Sequence, residues 1–342
     1  MKIRSKNKVR NNDAGDSSER KSVKQETSSI APQGKIKKLV IGTRGSQLAL
    51  WQAHFVKNQL ERHFPTLEVS LKTIKTTGDT IQNRSLVGLG KGIFTKEIEN
   101  ALLTGTIDLA VHSLKDLPTE LPEGLCIAAI PTREDPRDVL VTDTGSPLED
   151  LPTGAKIGTT SPRRKAQLLY IRPDLQVVDV RGNIDTRLRK LYETDLDGII
   201  LAAAGIKRLL DPEIITQFFD TEQMVPAVGQ GALGIEVREG DDRVEQLLLP
   251  LHDPSATAET TAERAVLESL GGGCQVPIGA HAKHVAGELS LIGAVCHPDG
   301  TRRIVGSTTG TPDIAQHLGG IVAEKLRNSG ATELLKEQEN DK

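Results

Sequence analysis

The sequence predicts an α/β protein of two similar lobes followed by a small α+β domain, and three observations carry that expectation. Short apolar runs alternate with segments of helical periodicity from Lys38 onward, the pattern of strands joined by helices. The pattern repeats in a second block that begins near Ile157. After Asp253 the texture changes: a long helix pattern comes first and strands follow it. At 342 residues the chain exceeds one comfortable hydrophobic core, so two or three domains fit its length.

The first strand is read at Leu39-Val40-Ile41, feeding a helix whose apolar residues Leu48, Trp51, Phe55, Val56 and Leu60 recur at helical spacing. Strands follow at 69–74, 107–111, 127–130 and 139–141, with a helix over 95–103. The second block has strands near Ile157, at 177–180 and at 199–202, each followed by a helix, at 163–170, 184–192 and 204–210. The last part reads as a helix over 256–270, a Gly-rich break, strands at 288–295 and 302–308, and a closing helix over 313–327. Residues 1–34 are polar, contain no leucine or aromatic residue, and read as a disordered extension. They hold no apolar segment of the secretory kind, and Asp13, Asp16, Glu19 and Glu26 argue against a transit peptide.

The formal charge is −3, which gives no reason to expect a nucleic-acid partner, so any anion recognition must come from local clusters of arginine. The longest apolar run, Gly198 to Ile206, is too short to cross a bilayer, and no membrane partner is expected. Three cysteines, at 126, 274 and 296, form no CxxC pair; a disulfide framework and a four-cysteine zinc site are both disfavoured, no metal is called for, and a reducing cytoplasm fits.

Four segments share one design, a strand running into a turn that carries Ser, Thr or Gly beside Arg just before a helix. They are Thr43-Arg44-Gly45-Ser46, Thr159-Thr160-Ser161-Pro162-Arg163-Arg164, Arg181-Gly182-Asn183-Ile184-Asp185-Thr186-Arg187 and Ala204-Gly205-Ile206-Lys207-Arg208. Free N–H groups at a helix start and a nearby guanidinium both bind anions, and in α/β sheets such turns gather at the carboxyl ends of the strands. Each arginine alone reads as a solvated surface residue; four such turns point to a ligand with many negative groups, carboxylate or phosphate. Lys115-Asp116, reached from the strand Asp108–Val111 through His112-Ser113-Leu114, offers a carboxylate and a cation, or else an ordinary cap. Gly88-Leu89-Gly90-Lys91-Gly92 lacks the Ser or Thr of a phosphate loop, and Gly229-Gln230-Gly231-Ala232-Leu233-Gly234 lacks a preceding strand; both read better as a hinge or mobile loop. Cys274 follows three glycines, Gly271-Gly272-Gly273, where burial in a packed core is unfavourable and thiolate chemistry becomes accessible.

Taken together, the residues from about Lys38 onward resemble the hydroxymethylbilane synthase, or porphobilinogen deaminase, family. The motifs that carry the resemblance stand in order: Val111-His112-Ser113-Leu114-Lys115-Asp116, then Arg133-Glu134-Asp135-Pro136-Arg137-Asp138, then Pro226-Ala227-Val228-Gly229-Gln230-Gly231-Ala232, and last Gly272-Gly273-Cys274-Gln275-Val276-Pro277-Ile278-Gly279. The resemblance implies two lobes built like those of periplasmic binding proteins, with mixed sheets, and a third, α+β domain. Its domains would be 35–131 with 232–249, then 132–231, then 250–342 carrying the cysteine, with residues 1–34 outside. It implies a monomeric cytoplasmic enzyme that joins four porphobilinogen molecules into linear hydroxymethylbilane with loss of ammonia. Growth would start on a dipyrromethane cofactor held by a thioether to Cys274. Asp116 would be the catalytic carboxylate, Lys115, Ser161, Arg163, Arg164 and Arg187 would hold the cofactor, and Arg44, Ser46, Arg181 and Arg208 the substrate. Phe94 and residues 76–92 would form a mobile loop over the cleft. Thr160, Pro162 and Gly271 depart from the commoner family residues without touching these roles. A non-catalytic two-lobed binder of a polycarboxylate shares the lobes and the arginine turns but has no use for Cys274, and a nucleotide-dependent enzyme rests on the two defective glycine motifs alone.

Overall fold

The structure, a computed structural model, describes residues 36–80, 92–271 and 276–340. Its first part runs β1 (Lys38–Thr43), α1 (Gln47–His63), β2 (Glu68–Thr73), α2 (Thr77–Thr80), α3 (Lys96–Leu103), β3 (Leu109–Ser113) and β4 (Leu125–Ala129). The chain then enters a second sheet through β5 (Asp138–Val141), β6 (Lys156–Gly158), α4 (Pro162–Ile171), β7 (Gln176–Val178), α5 (Ile184–Glu193), β8 (Gly198–Ala202), α6 (Ala203–Leu209) and β9 (Gln217–Phe218). It returns to the first sheet with β10 (Leu233–Arg238), followed by α7 (Asp242–Leu248). The last part is α8 (Pro254–Ser269), β11 (Ile278–Val285), β12 (Glu288–Cys296), β13 (Arg303–Gly310), α9 (Ala315–Asn328) and α10 (Ala331–Asn340).

The two large sheets are built alike. Their strand orders are β2-β1-β3-β10-β4 and β7-β6-β8-β5-β9. In each, four of the five strands point the same way and the fourth in order, β10 or β5, runs antiparallel to both its neighbours. The expectation of two α/β lobes with mixed sheets and a small α+β unit therefore holds. Each lobe closes on its own core: Leu39, Ile41, Val56, Leu60 and Ile235 in the first, Leu140, Ile157, Leu168, Ile200 and Phe219 in the second. In the third part β11, β12 and β13 form an antiparallel sheet whose inner face, Ala280, Leu291 and Val295, packs on α8 and α9. Gly319 of α9 lets these helices touch, because a Cβ there would lie 2.4 Å from that of Ala265.

Three strands are absent from the sequence reading: β9 is only two residues long, and β10 and β11 each have a further physical reason. β10 falls in the segment read as a glycine hinge, and its apolar run is broken by Glu236, which is fully buried because His112 Nε2 meets its carboxylate at 3.0 Å. β11 places Ala280 and Ala282 inward and alternates them with His and Lys, residues that carry little strand preference.

The chain crosses between the lobes twice, at 130–137 and 219–232, and the crossings run side by side. Glu134 N donates to Gly231 O at 3.2 Å, and Arg133 Nε to Gln230 O at 3.0 Å. Gly231 has φ +88°, and a Cβ on it would stand 2.2 Å from Glu134 O. Glu263 of α8 ties both crossings to the third part: it takes two bonds from Arg133, at 2.7 and 3.1 Å, and one from Gly229 N at 2.7 Å. Its carboxyl is held below the ordinary value because Arg133 and His281 outweigh the opposing effect of burial.

Gly231→Ala strains the left-handed backbone and drives a methyl into the Glu134 carbonyl. It should lower stability by roughly 2–4 kcal/mol, read as an earlier midpoint in urea.

Candidate active site

A cleft of about 410 Å³ opens between the lobes, and the turns singled out in the sequence end on it. Arg44 and Ser46 follow β1; Ser113, Lys115 and Asp116 follow β3; Ser161, Arg163 and Arg164 follow β6; Arg187 lies in α5 after β7; Arg208 lies in α6 after β8. All five strands are parallel members of their sheets and present their carboxyl ends to the cleft, which is why residues 164 positions apart in sequence meet there.

The two serines are N-caps. Ser46 Oγ accepts from Ala49 N at 3.3 Å and Ser161 Oγ from Arg164 N at 3.4 Å, which leaves each hydroxyl proton for a ligand. Arg44 pairs with Asp79 (Nε to Oδ1 3.1 Å) and lies 4.2 Å from the centre of the Phe94 ring. Phe94 in turn packs on Gly78, where a Cβ would collide with the ring. Of the loop read at 76–92, residues 81–91 lie outside the described residues, and with them almost all of the Gly88–Gly92 motif.

Arg163 and Arg164 sit deeper than the sequence suggests, at 4% and 6% exposure, and both bind Asp138, the first residue of β5. Arg163 Nη1 reaches Asp138 Oδ2 at 2.6 Å and Val225 O at 2.8 Å; Arg164 Nε reaches Asp138 Oδ1 at 2.9 Å and its Nη1 reaches Ile200 O at 3.0 Å. Burial alone would raise the Asp138 carboxyl; the two guanidiniums outweigh it and hold the group far below its usual range. Arg187 donates from Nε to Gly182 O at 2.8 Å, and Arg208 from Nη2 to Gly231 O at 2.7 Å while lying 5.6 Å from the Trp51 ring centre. Trp51 stacks on Phe55, 5.6 Å between centroids. Arg181 is the exception: it is not among the cleft-lining residues, and its carbonyl serves as acceptor for Lys190 Nζ at 3.2 Å. Cys274 lies outside the described residues.

The electrostatics favour an anion. Burial, with Arg164 second, pushes Lys115 down to about 8; burial pushes Arg187 and Arg208 down to about 10, and Arg164 is lowered by the same cause. Four cations whose charged forms are disfavoured in one cleft are stabilised together by a ligand that brings carboxylates. Asp116, by contrast, is open to the cleft. A dipyrromethane, each of whose pyrroles bears two carboxylate arms, fits this donor set. Sequence reasoning did not single out Asp138 or Gln230: both are buried, and nothing in a single polar letter tells which strand end or hinge it will occupy.

Fold and cleft together define a two-lobed anion-binding protein with Asp116 and Asp185 set among its cations. The family model "Porphobilinogen deaminase, dipyromethane cofactor binding domain" matches residues 39–246, and "Porphobilinogen deaminase, C-terminal domain" matches 257–328. The chain belongs to the porphobilinogen deaminase family. It is 51% identical over 298 residues to the porphobilinogen deaminase of Syntrophobacter fumaroxidans, covering 87% of this chain and 96% of that one. It is also 51% identical over 298 residues to that of Syntrophotalea carbinolica, covering 87% and 95%. Among solved structures, the methionine-binding protein MetQ superposes with a TM-score of 0.41 at 12% identity, over 62% of this chain and 89% of that one; so loose a likeness adds nothing to the family assignment. Among the described residues no helix is long and apolar enough to cross a membrane.

Asp138→Asn leaves two buried guanidiniums without their counter-charge and should cost about 3–5 kcal/mol, measured by urea unfolding against wild type.

Proposed function

We infer that this cleft joins four porphobilinogen molecules, one after another, into linear hydroxymethylbilane with release of ammonia, a transferase step of tetrapyrrole and heme biosynthesis. The observation that carries the reading is the convergence of five strand-end turns, rich in cations, on a cleft with Asp116 open among them. Bound dipyrromethane supplies the free α-carbon to which the first substrate pyrrole is joined.

The residues of the chain do the rest. Lys115, Ser161, Arg163, Arg164 and Arg187 hold the cofactor's carboxylates; Arg44, Ser46 and Arg208 hold those of the incoming substrate, with Arg181 at the margin. Arg163 acts mainly through Asp138, since its Nη1 is already engaged. When the substrate's aminomethyl group leaves as ammonia, positive charge spreads over the pyrrole. Asp116 stabilises that charge and takes up the proton lost when aromaticity returns.

Cys274 is the anchor in this reading. The chain reaches the cleft wall on both sides of residues 272–275, through Leu267 and through Val276 and Ile278, and that supports the assignment. The domain division is kept at 35–131 with 232–249, 132–231 and 250–342, supported by β10 returning to the first sheet. We take the protein to work as a monomer in the cytoplasm without nucleic acid, in keeping with its charge of −3.

The test is the intact mass of denatured protein beside Cys274→Ser. An addition of two linked pyrrole units, present only with the cysteine, is expected; bare mass in wild type, even after incubation with porphobilinogen, would leave a polycarboxylate-binding protein instead. With that addition in place, Asp116→Asn should slow porphobilinogen consumption roughly 100-fold or more. Near-normal turnover would remove Asp116 from the chemistry.

A further inference from the structure

Gln230 sits between Gly229 (φ +72°) and Gly231 (φ +88°) on the returning crossing, 1% exposed, with its backbone pinned by the neighbouring crossing at Arg133. Its side-chain amide uses every bond it can make. Nε2 donates to Pro136 O at 2.7 Å and to Asp138 Oδ1 at 2.9 Å; Oε1 accepts from Lys115 Nζ at 3.3 Å and from Arg164 Nη2 at 3.4 Å. Two donors and two acceptor sites are the whole capacity of an amide, and a carboxylate or a hydroxyl has no such combination. The four partners come from three parts of the protein: Lys115 from the first lobe, Arg164 and Asp138 from the second, Pro136 from the other crossing.

We propose that Gln230 is a positioning residue for the condensation, holding Lys115 of one lobe and Arg164 of the other at a shared oxygen, so that the hinge sets the spacing of the cleft's cations. The proposal rests on the reading that these cations grip the cofactor. Arg164 is tied to Asp138 and Ile200 of its own lobe, so a displacement of the hinge backbone at Gln230 alters its distance to Lys115 and Arg164. A neutral oxygen suits the place, because it orients two positive groups without neutralising the charge that must attract carboxylates. Lys115 also faces Asp116 on its own turn, Arg163 and Arg164 of α4, and Asp138 of β5, and burial with Arg164 leaves it near pKa 8, where small changes in its surroundings are readable.

The experiment is competitive acetylation of Lys115 with acetic anhydride between pH 6 and 11 on the protein as purified, read by peptide mass spectrometry. It needs no turnover, so it stands apart from the test of the condensation itself. Gln230→Glu brings an anionic oxygen to Lys115 and should raise its labelling midpoint by about one pH unit, a tenfold gain in proton affinity. Gln230→Met keeps the length, removes the acceptor, and should lower the midpoint; it decides the matter if Gln230→Glu does not fold. In both variants the alkaline limb of kcat should move the same way as the midpoint. Midpoints that stay at the wild-type value in folded variants overturn the proposal. So does a shifted midpoint with an unmoved limb, which would leave the condensation standing and Gln230 as a structural joint only.

Discussion

Everything in the cleft depends on one buried carboxylate. Asp138 is the first residue of β5, where the chain enters the second lobe, and it has no exposure to water. A lone charge there would be prohibitive to bury; it is tolerable because Arg163, Arg164 and Gln230 bind both its oxygens. Two guanidiniums against one carboxylate leave a net positive charge, and that surplus lies at the cleft wall. The ion cluster therefore closes the second lobe and sets up the field by which the lobe attracts an anion.

The same economy governs the topology. The first sheet sends binding turns to the cleft from the carboxyl ends of β1 and β3 and the second from β6, β7 and β8, and each sheet gains one antiparallel strand that arrives straight from a crossing. Because β5 and β10 belong to opposite sheets and begin next to the two crossings, hinge geometry is transmitted to both sheets through hydrogen-bonded ladders rather than through loose loops. Glu263 adds the third part to this junction, so β11 is held on the same support as the hinge.

Much of this was legible in the sequence. The apolar runs of β1, β5 and β8 and the helical spacing of α1 mark the lobes, and the repeated strand-turn-Arg design marks the cleft before any coordinate is known. What stayed hidden shares a cause: its signal is long-range. Glu236 looks like a surface residue until His112, 124 positions away, is seen beside it. Asp138 stands next to Arg137 in sequence, yet Arg137 binds Asp135 while Asp138 turns inward to Arg163 and Arg164 of α4. Arg181 shares the turn's spelling, while Arg187, six residues on, lines the cleft.

The contact of Arg208 with Trp51 joins the lobes, from α6 of one to α1 of the other. Trp51 is the sole tryptophan among 342 residues, so the protein carries a single built-in fluorophore, seated where the lobes meet, with a cation 5.6 Å from its ring and an aromatic neighbour on its other contact. Its emission is thus an optical gauge of lobe separation, free of added labels and of background from any second indole.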